Sequence, residues 1–238
     1  MKYTRLPDES ADYVARREEL RQAEVDLMRQ QERVAELRRA LPQGAPVNDY
    51  VFLEVPADLD AGDEPVREVR LSELFSATDR PLVVYQFMYG KLQTTACPMC
   101  TLWIDGYNGV ANHIAQNVDF VIVAAADPAT LRAYARERSW GNLRLLSAGD
   151  STFKYDLGGE DKEGNQDSTM SVFTKDPNGH IRHFYTAHPQ MADDIDERGI
   201  DLLSPVWNML DLTPQGRGDW YPELRYPTPV GASATSSR

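Results

Sequence analysis

The segment Thr-Thr-Ala-Cys-Pro-Met-Cys, residues 94–100, contains both cysteines of the 238-residue chain, Cys97 and Cys100. It follows the apolar run at residues 81–89, which is typical of a strand covered on both faces of a sheet. Beyond the cysteines, apolar residues recur at helical spacing to about Gln116. The cysteines are therefore predicted to stand where a central strand gives way to a helix.

The elements around this segment predict a sheet with crossover helices. Strands are expected at 51–55, 66–71, 81–88, 118–125, 143–147, 171–174 and 181–186, and helices at 98–116, 128–138 and 202–212. Residues 149–167 are polar and contain glycines, so a loop is expected there, and the DPNG sequence at 176–179 indicates a hairpin. The predicted fold class is α/β, with a mixed sheet flanked by helices in the element order of a thioredoxin-like fold.

A long polar helix is predicted before the sheet, from a cap at Ser10 to about Ala40. Residues 1–44 are expected to form an N-terminal helical extension, residues 45–222 the thioredoxin-like domain and residues 223–238 a flexible C-terminal tail. One apolar stripe runs along the helix, through Tyr13, Leu20, Leu27, Val34 and Leu41. Such a stripe indicates packing either on the chain's own domain or on a second subunit, and a homodimer through this helix is a hypothesis.

The composition excludes several classes of partner. The formal net charge of −12 disfavours a nucleic-acid backbone, which is bound by clustered Lys and Arg. The sequence has no apolar run of about 18 residues, so no membrane partner is expected. The N-terminal residues lack the apolar stretch of a signal peptide, and a cytoplasmic protein is predicted.

The spacing of the two cysteines points to thiol chemistry. At a helix N-terminus the Cys97 sulfur meets free backbone N–H groups and the positive end of the helix dipole, and both stabilise a thiolate. Pro98 suits the first helical turn, where a missing N–H costs nothing. The predicted cycle is attack by Cys97 on a disulfide, followed by resolution by Cys100 one turn further on. The expected partner is a disulfide-containing protein or a small-molecule thiol.

Two other interpretations of the cysteine pair are open on the sequence. A zinc site needs about four ligands, and the sequence has no second cysteine pair, so no metal and no cofactor are predicted. Alternatively, both cysteines pack inertly in the core, as buried cysteines often do. The spacing directly after a central strand favours the redox interpretation.

Several motifs together resemble the DUF899 family. They are CPMC at 97–100 followed by WIDG at 103–106, SVF at 171–173 and LDLTPQGR at 210–217. The resemblance extends to about Trp220. It implies a thioredoxin-like fold and a predicted dithiol–disulfide oxidoreductase activity. Trp103, one turn into the predicted helix, and Met99, between the two cysteines, are expected to line the dithiol.

One position departs from the usual thioredoxin-like pattern. Redox proteins of that fold present a cis-proline opposite the dithiol, but residues 167–171 read DSTMS and contain no proline. The resemblance implies that the backbone at Thr169 and Met170 faces Cys97 instead.

Two alternative functions remain open on the sequence. Thr94 stands three residues before Cys97, as in the peroxiredoxin pattern P-x-x-x-T-x-x-C, although Gly90 occupies the proline position. A peroxiredoxin-like thiol peroxidase, with Cys97 passing through a sulfenic acid, is the first alternative. A non-catalytic thioredoxin-like binding module is the second.

Overall fold

A computed structural model describes residues 4–194 and 198–226 of the chain. It divides into two compact units, Met1–Gly44 and Ala45–Arg238. In the first unit, helix α1 spans Ala11–Arg39. The Ser10 hydroxyl accepts a hydrogen bond from the Tyr13 N–H at 3.1 Å and so caps the helix as predicted.

The second unit is built on one seven-stranded sheet in the order β2-β1-β5-β4-β3-β6-β7. Its strands are β1 Val51–Glu54, β2 Arg67–Arg70, β3 Leu82–Phe87, β4 Asp119–Ala124, β5 Arg144–Ser147, β6 Thr169–Lys175 and β7 Ile181–Ala187. Its helices are α2 Pro98–Ile114, α3 Pro128–Arg138, α4 Phe153–Asp156 and α5 Pro205–Asp211. Short 3-10 turns occupy Leu71–Leu74 and Asp201–Leu203.

Strand β3 lies inside the sheet, because both of its edges are paired. It runs parallel to β4, with Leu82 opposite Asp119, and antiparallel to β6, with Leu82 opposite Phe173. Separate apolar cores cover its two faces: Tyr85 and Phe87 belong to one, and Leu82 and Val84 to the other. This arrangement confirms the predicted α/β class and the thioredoxin-like mixed sheet with a central strand before the cysteines.

Two segments differ from their predictions. The segment 149–167 is not only a loop, because it contains the one-turn helix α4, in which Phe153 and Lys154 are buried. The final helix does not run through 202–212. Pro205 has no N–H and cannot continue a preceding helix, so α5 begins there, and the Ser204 hydroxyl accepts from the Val206 N–H at 3.4 Å.

The C-terminal residues are described only in part. Of the predicted tail at 223–238, residues 227–238 lie outside the described residues. The Leu224 carbonyl accepts a hydrogen bond from the Arg138 guanidinium at 3.2 Å, which ties this segment to α3. Between residues 4 and 226, leaving aside 195–197, no helix has both the length and the apolar character needed to cross a membrane.

Candidate functional site

Cys97 is the N-cap of helix α2, and Pro98 is its first residue. The Cys97 backbone is extended, with φ −64° and ψ 124°, so its sulfur turns back over the first turn. The sulfur accepts the N–H of Cys100 at 3.5 Å. The Cys97 N–H donates to the Met88 carbonyl at 3.2 Å, and its carbonyl accepts from the Thr101 N–H at 3.0 Å. These backbone bonds hold the sulfur at the helix N-terminus.

The pKa values of the two thiols are shifted in opposite directions. Both are free cysteines, and both are buried, Cys97 to 7% exposure and Cys100 to 1%. The hydrogen bond from the Cys100 side chain, together with the Cys100 backbone N–H and Tyr221, outweighs burial and lowers the pKa of Cys97 to about 6. Burial raises the pKa of Cys100 well above its ordinary value. At neutral pH the pair therefore presents a thiolate at Cys97 and a thiol at Cys100.

Polar side chains surround the buried Cys100. Burial, and then the neighbouring Cys100 sulfur, raise the pKa of the phenols of Tyr85 and Tyr107. The Tyr85 hydroxyl is buried and makes no hydrogen bond to any of the described residues. Tyr85 comes from β3 and Tyr107 from α2, so the strand and the helix both contribute to the environment of this thiol.

Lys154 is the buried cation of this region. Its side chain is 1% exposed, and its ammonium donates to the Phe87 carbonyl at 3.3 Å, at the end of the strand that leads to the cysteines. Burial lowers the pKa of Lys154 to about 8, while the attraction of Cys100, Glu160 and Asp167 acts in the opposite direction. An ammonium is thus kept inside the protein near the Cys100 thiol.

A cavity of about 410 Å³ opens over the dithiol. Its floor includes Cys97, Cys100, Met99 and Trp103. The remaining lining comes from the β3 end, the residues before β6, the residues after β7 and the C-terminal segment: Met88, Asp167, Ser168, His188, Pro189, Gln190, Ile200, Asp201, Trp207, Arg217, Gly218, Trp220 and Tyr221.

The C-terminal wall of the cavity is held by charge and ring contacts. The Arg217 guanidinium donates to Asp201 at 2.6 Å and to Asp211 at 2.7 Å, and it lies 5.1 Å above the Trp207 ring. The rings of Trp207 and Trp220 meet edge to face at 5.4 Å. These contacts fix the segment that brings Tyr221 to Cys97.

Two polar side chains of the cavity lining, His188 and Asp167, are hydrogen-bonded to each other. The His188 Nε2 donates to the Asp167 carboxylate at 2.7 Å. The other ring nitrogen, Nδ1, contacts the Gln190 backbone N–H at 3.1 Å. Both nitrogens of His188 are therefore engaged within the wall, and this geometry leaves neither free to act as a base on Cys97.

The residues expected from sequence to line the site fall in different places. Met99 and Trp103 line the cavity with the two cysteines, and Pro98 lies at the first position of α2 beside them. Thr94 is exposed and outside the cavity lining. Thr169 and Met170 also lie outside the lining, because they are buried within β6. Ser168, one residue earlier, is the member of that segment that reaches the cavity.

The sequence pattern does not reveal several residues of the site. Lys154 lies in a stretch whose polar composition indicated only a loop, and nothing local marks it as buried. Trp207, Trp220 and Tyr221 belong to an aromatic-rich C-terminal stretch; that density was the available signal, but it does not reveal that the chain folds back over the dithiol. Across residues 4–194 and 198–226, no group of three or more His, Cys, Asp or Glu is arranged to hold a metal ion.

Comparison with solved structures finds proteins at low identity. Reduced Prx3 from Vibrio vulnificus in complex with hydrogen peroxide is 16% identical, with a TM-score of 0.44, over 69% of this chain and 99% of that one. Mycobacterium tuberculosis AhpC is 16% identical, with a TM-score of 0.46, over 68% of this chain and 89% of that one. A putative thioredoxin reductase from Burkholderia cenocepacia is 16% identical, with a TM-score of 0.47, over 68% and 96%.

These identities are too low to extend the activity of any of those proteins to this chain. No curated protein matches the sequence. A family model described as "Bacterial protein of unknown function (DUF899)" matches residues 4–228, which is nearly the whole chain, and the protein therefore belongs to the DUF899 family.

Proposed function

We propose that this protein is a thiol–disulfide oxidoreductase in which Cys97 attacks and Cys100 resolves. The observation that carries the proposal is the asymmetry of the pair. Cys97 caps helix α2 with its pKa lowered to about 6, whereas Cys100 is buried behind it with a raised pKa. A nucleophile must be ionised at neutral pH, while a resolving thiol has to react only after the first step.

The cycle begins at the reduced pair. The Cys97 thiolate attacks one sulfur of a substrate disulfide, so that a Cys97–substrate bond forms, the substrate S–S bond breaks, and the first thiolate leaves and takes a proton from water. Cys100 then gives its proton to solvent and attacks the Cys97 sulfur, so that the Cys97–Cys100 disulfide forms, the Cys97–substrate bond breaks, and the second thiolate leaves. Two electrons pass from the dithiol to the substrate, and an external dithiol restores the reduced pair.

Lys154 supports the second step in this proposal. Ionising a buried thiol is costly, because desolvation disfavours the thiolate. A nearby ammonium offsets part of that cost. The electrostatic attraction of Cys100 raises the pKa of Lys154, which means that the ammonium and a Cys100 thiolate stabilise each other. With a pKa of about 8, Lys154 is largely charged at pH 7, so we assign it the role of an electrostatic stabiliser rather than that of a base.

The peroxidase alternative receives less support from the geometry. Thr94 is exposed and outside the cavity, so its hydroxyl is not positioned to meet a peroxide bound at Cys97. Gly90 has φ +106°, which a proline with φ fixed near −65° cannot adopt. A lowered Cys97 pKa still suits reaction with peroxide, so hydrogen peroxide belongs in the same assay.

The test measures disulfide reduction with dithiothreitol as the regenerating dithiol. We expect turnover in the wild type, loss of turnover in Cys97→Ser, and a trapped mixed disulfide at Cys97 in Cys100→Ser. Val110→Ala serves as a control that alters an exposed position of the same helix, outside the cavity lining, without removing a thiol. Faster consumption of hydrogen peroxide than of any disulfide supports the peroxidase instead. If the protein reduces neither disulfides nor hydrogen peroxide while both thiols remain free, a binding module is favoured.

A further inference from the structure

We propose that the substrate is a small-molecule disulfide with an uncharged, apolar or aromatic substituent, rather than a disulfide in a folded or extended polypeptide. This inference rests on the proposed redox function. It follows from the enclosure of Cys97, from the hydrogen bonds that the backbone beside it already makes, and from the chemistry of the cavity walls.

Enclosure is the first argument. The Cys97 side chain lies under the C-terminal segment, and the Tyr221 hydroxyl is 3.9 Å from its sulfur. The access route is a cavity of about 410 Å³, within the range of roughly 300–1,000 Å³ that holds small molecules. A polypeptide disulfide would bring two backbones with it, and the aromatic residues above Cys97 occupy the space that those backbones need.

The backbone beside the dithiol gives the second argument. Extended peptides are commonly held by free main-chain N–H and C=O groups at a strand. Here the Asp167 N–H donates to the Gly159 carbonyl at 3.0 Å, and the Ser168 N–H donates to the Asp167 carboxylate at 2.7 Å. The two N–H donors before β6 are therefore already engaged within the chain, so they cannot hold a substrate peptide.

The side chains of the cavity walls indicate which kind of substituent the substrate disulfide carries. Trp103, Trp207, Trp220 and Tyr221 present aromatic surface to the cavity, which favours apolar and aromatic groups. Among the polar side chains of the lining, Arg217 forms an ion pair with Asp201, and the Asp167 carboxylate accepts a hydrogen bond from His188. A charged substituent would have to compete with these existing pairs, whereas a neutral ring can stack without disturbing them.

The experiment compares four disulfides with the full-length reduced protein and dithiothreitol. They are 4,4′-dithiodipyridine (neutral, aromatic), bis(2-hydroxyethyl) disulfide (neutral, aliphatic), 5,5′-dithiobis(2-nitrobenzoate) (anionic, aromatic) and insulin (a polypeptide). Each kcat/KM is divided by the rate constant of the same disulfide with dithiothreitol alone, which removes differences in intrinsic reactivity. We expect the neutral aromatic disulfide to give the highest normalised value and insulin the lowest.

A wall variant tests whether the cavity causes this preference. Trp220 is 45% exposed, so Trp220→Ala is tolerable for folding, and circular dichroism confirms that the variant is folded. Loss of a ring contact worth about 1.4 kcal/mol predicts about a tenfold lower kcat/KM for 4,4′-dithiodipyridine, with the Cys97 pKa unchanged. Tyr155→Ala is the control, since Tyr155 is exposed and lies outside the cavity lining.

The outcomes separate the two proposals. A normalised value for insulin equal to or above that of the small disulfides overturns the substrate assignment and leaves the redox function standing. An unchanged kcat/KM for the neutral aromatic disulfide in Trp220→Ala also overturns the assignment. If no disulfide is reduced and glutathione cannot oxidise the Cys97–Cys100 pair, the proposed function itself fails, and the substrate assignment fails with it.

Discussion

The hydroxyl oxygen of Tyr221 lies 3.9 Å from the sulfur of Cys97, although the two residues are 124 positions apart in the chain. The contact exists because the segment after α5 turns back over the N-terminus of α2, where Arg217 anchors it to Asp201 and Asp211. One tyrosine therefore both covers Cys97, the proposed nucleophile, and contributes to its lowered pKa.

Replacing Tyr221 by Phe should raise the pKa of Cys97. The substitution removes a hydrogen bond to the thiolate while keeping the ring, and the backbone N–H of Cys100 continues to stabilise the charge. At this distance we expect a weak bond and a rise of about half a pKa unit. The measurement is the pH dependence of alkylation by iodoacetamide.

In the wild type, the alkylation rate of Cys97 should reach half its plateau near pH 6. The matched control is Tyr155→Phe, which alters an exposed tyrosine outside the cavity and should leave the profile in place. A half-maximal rate near pH 9 in the wild type would show that the helix terminus does not activate this thiol.

Lys154→Met should stabilise the protein at pH 7 while slowing resolution by Cys100. The pKa of Lys154 falls from 10.5 to about 8 on folding, so below pH 8 both states are protonated and the folded state bears the full cost of the buried charge. Between pH 8 and 10.5 the folded state loses its proton first, so stability rises with pH. The shift corresponds to a cost on the order of 3 kcal/mol.

Urea unfolding measures this effect. Lys154→Met should have the higher free energy of unfolding at pH 7, and the difference should shrink toward pH 10.5. Lys162→Met, at an exposed lysine, should change stability little at either pH. In disulfide-reduction assays, accumulation of the Cys97 mixed disulfide in Lys154→Met would support the electrostatic role. Normal resolution would count against it.

The N-terminal helix carries a separate prediction, a homodimer. Leu20 and Leu27 belong to its single apolar stripe, and Leu27→Glu should reduce the mass measured by light scattering from that of a dimer to that of a monomer. Gln22→Glu places the same new charge away from the stripe on α1 and should leave the mass unchanged. A wild-type chain that is already monomeric would refute the hypothesis.

The sequence was sufficient to predict the elements that depend on local pattern. The run before Cys97 is apolar on both faces of its pleat, which is what a strand covered by an apolar core on each face requires. Ser10 and Pro98 were predicted at helix starts, because capping and the missing N–H of proline are local effects. The cytoplasmic location predicted from the N-terminal sequence stays a prediction.

The rest of the site depends on long-range packing. Lys154 is buried because α4 packs against the domain through Phe153, which belongs to one of the apolar cores, and nothing in the surrounding polar sequence requires this. Trp207, Trp220 and Tyr221 reach the dithiol through a reversal of the chain that Arg217 holds with two carboxylates. Thr169 was expected opposite Cys97, but its hydroxyl bonds to the buried Gln86 at 2.9 Å, and Ser168 takes the place at the cavity.

The redox titration of the Cys97–Cys100 pair tests the central claim most directly. The full-length protein is equilibrated with mixtures of reduced and oxidised glutathione, and free thiols are counted after acid quenching and alkylation. We predict a single two-electron transition between the dithiol and an intramolecular disulfide, abolished in Cys97→Ser and in Cys100→Ser. Two thiols that remain reduced across the whole series, or that oxidise independently of each other, would contradict the account.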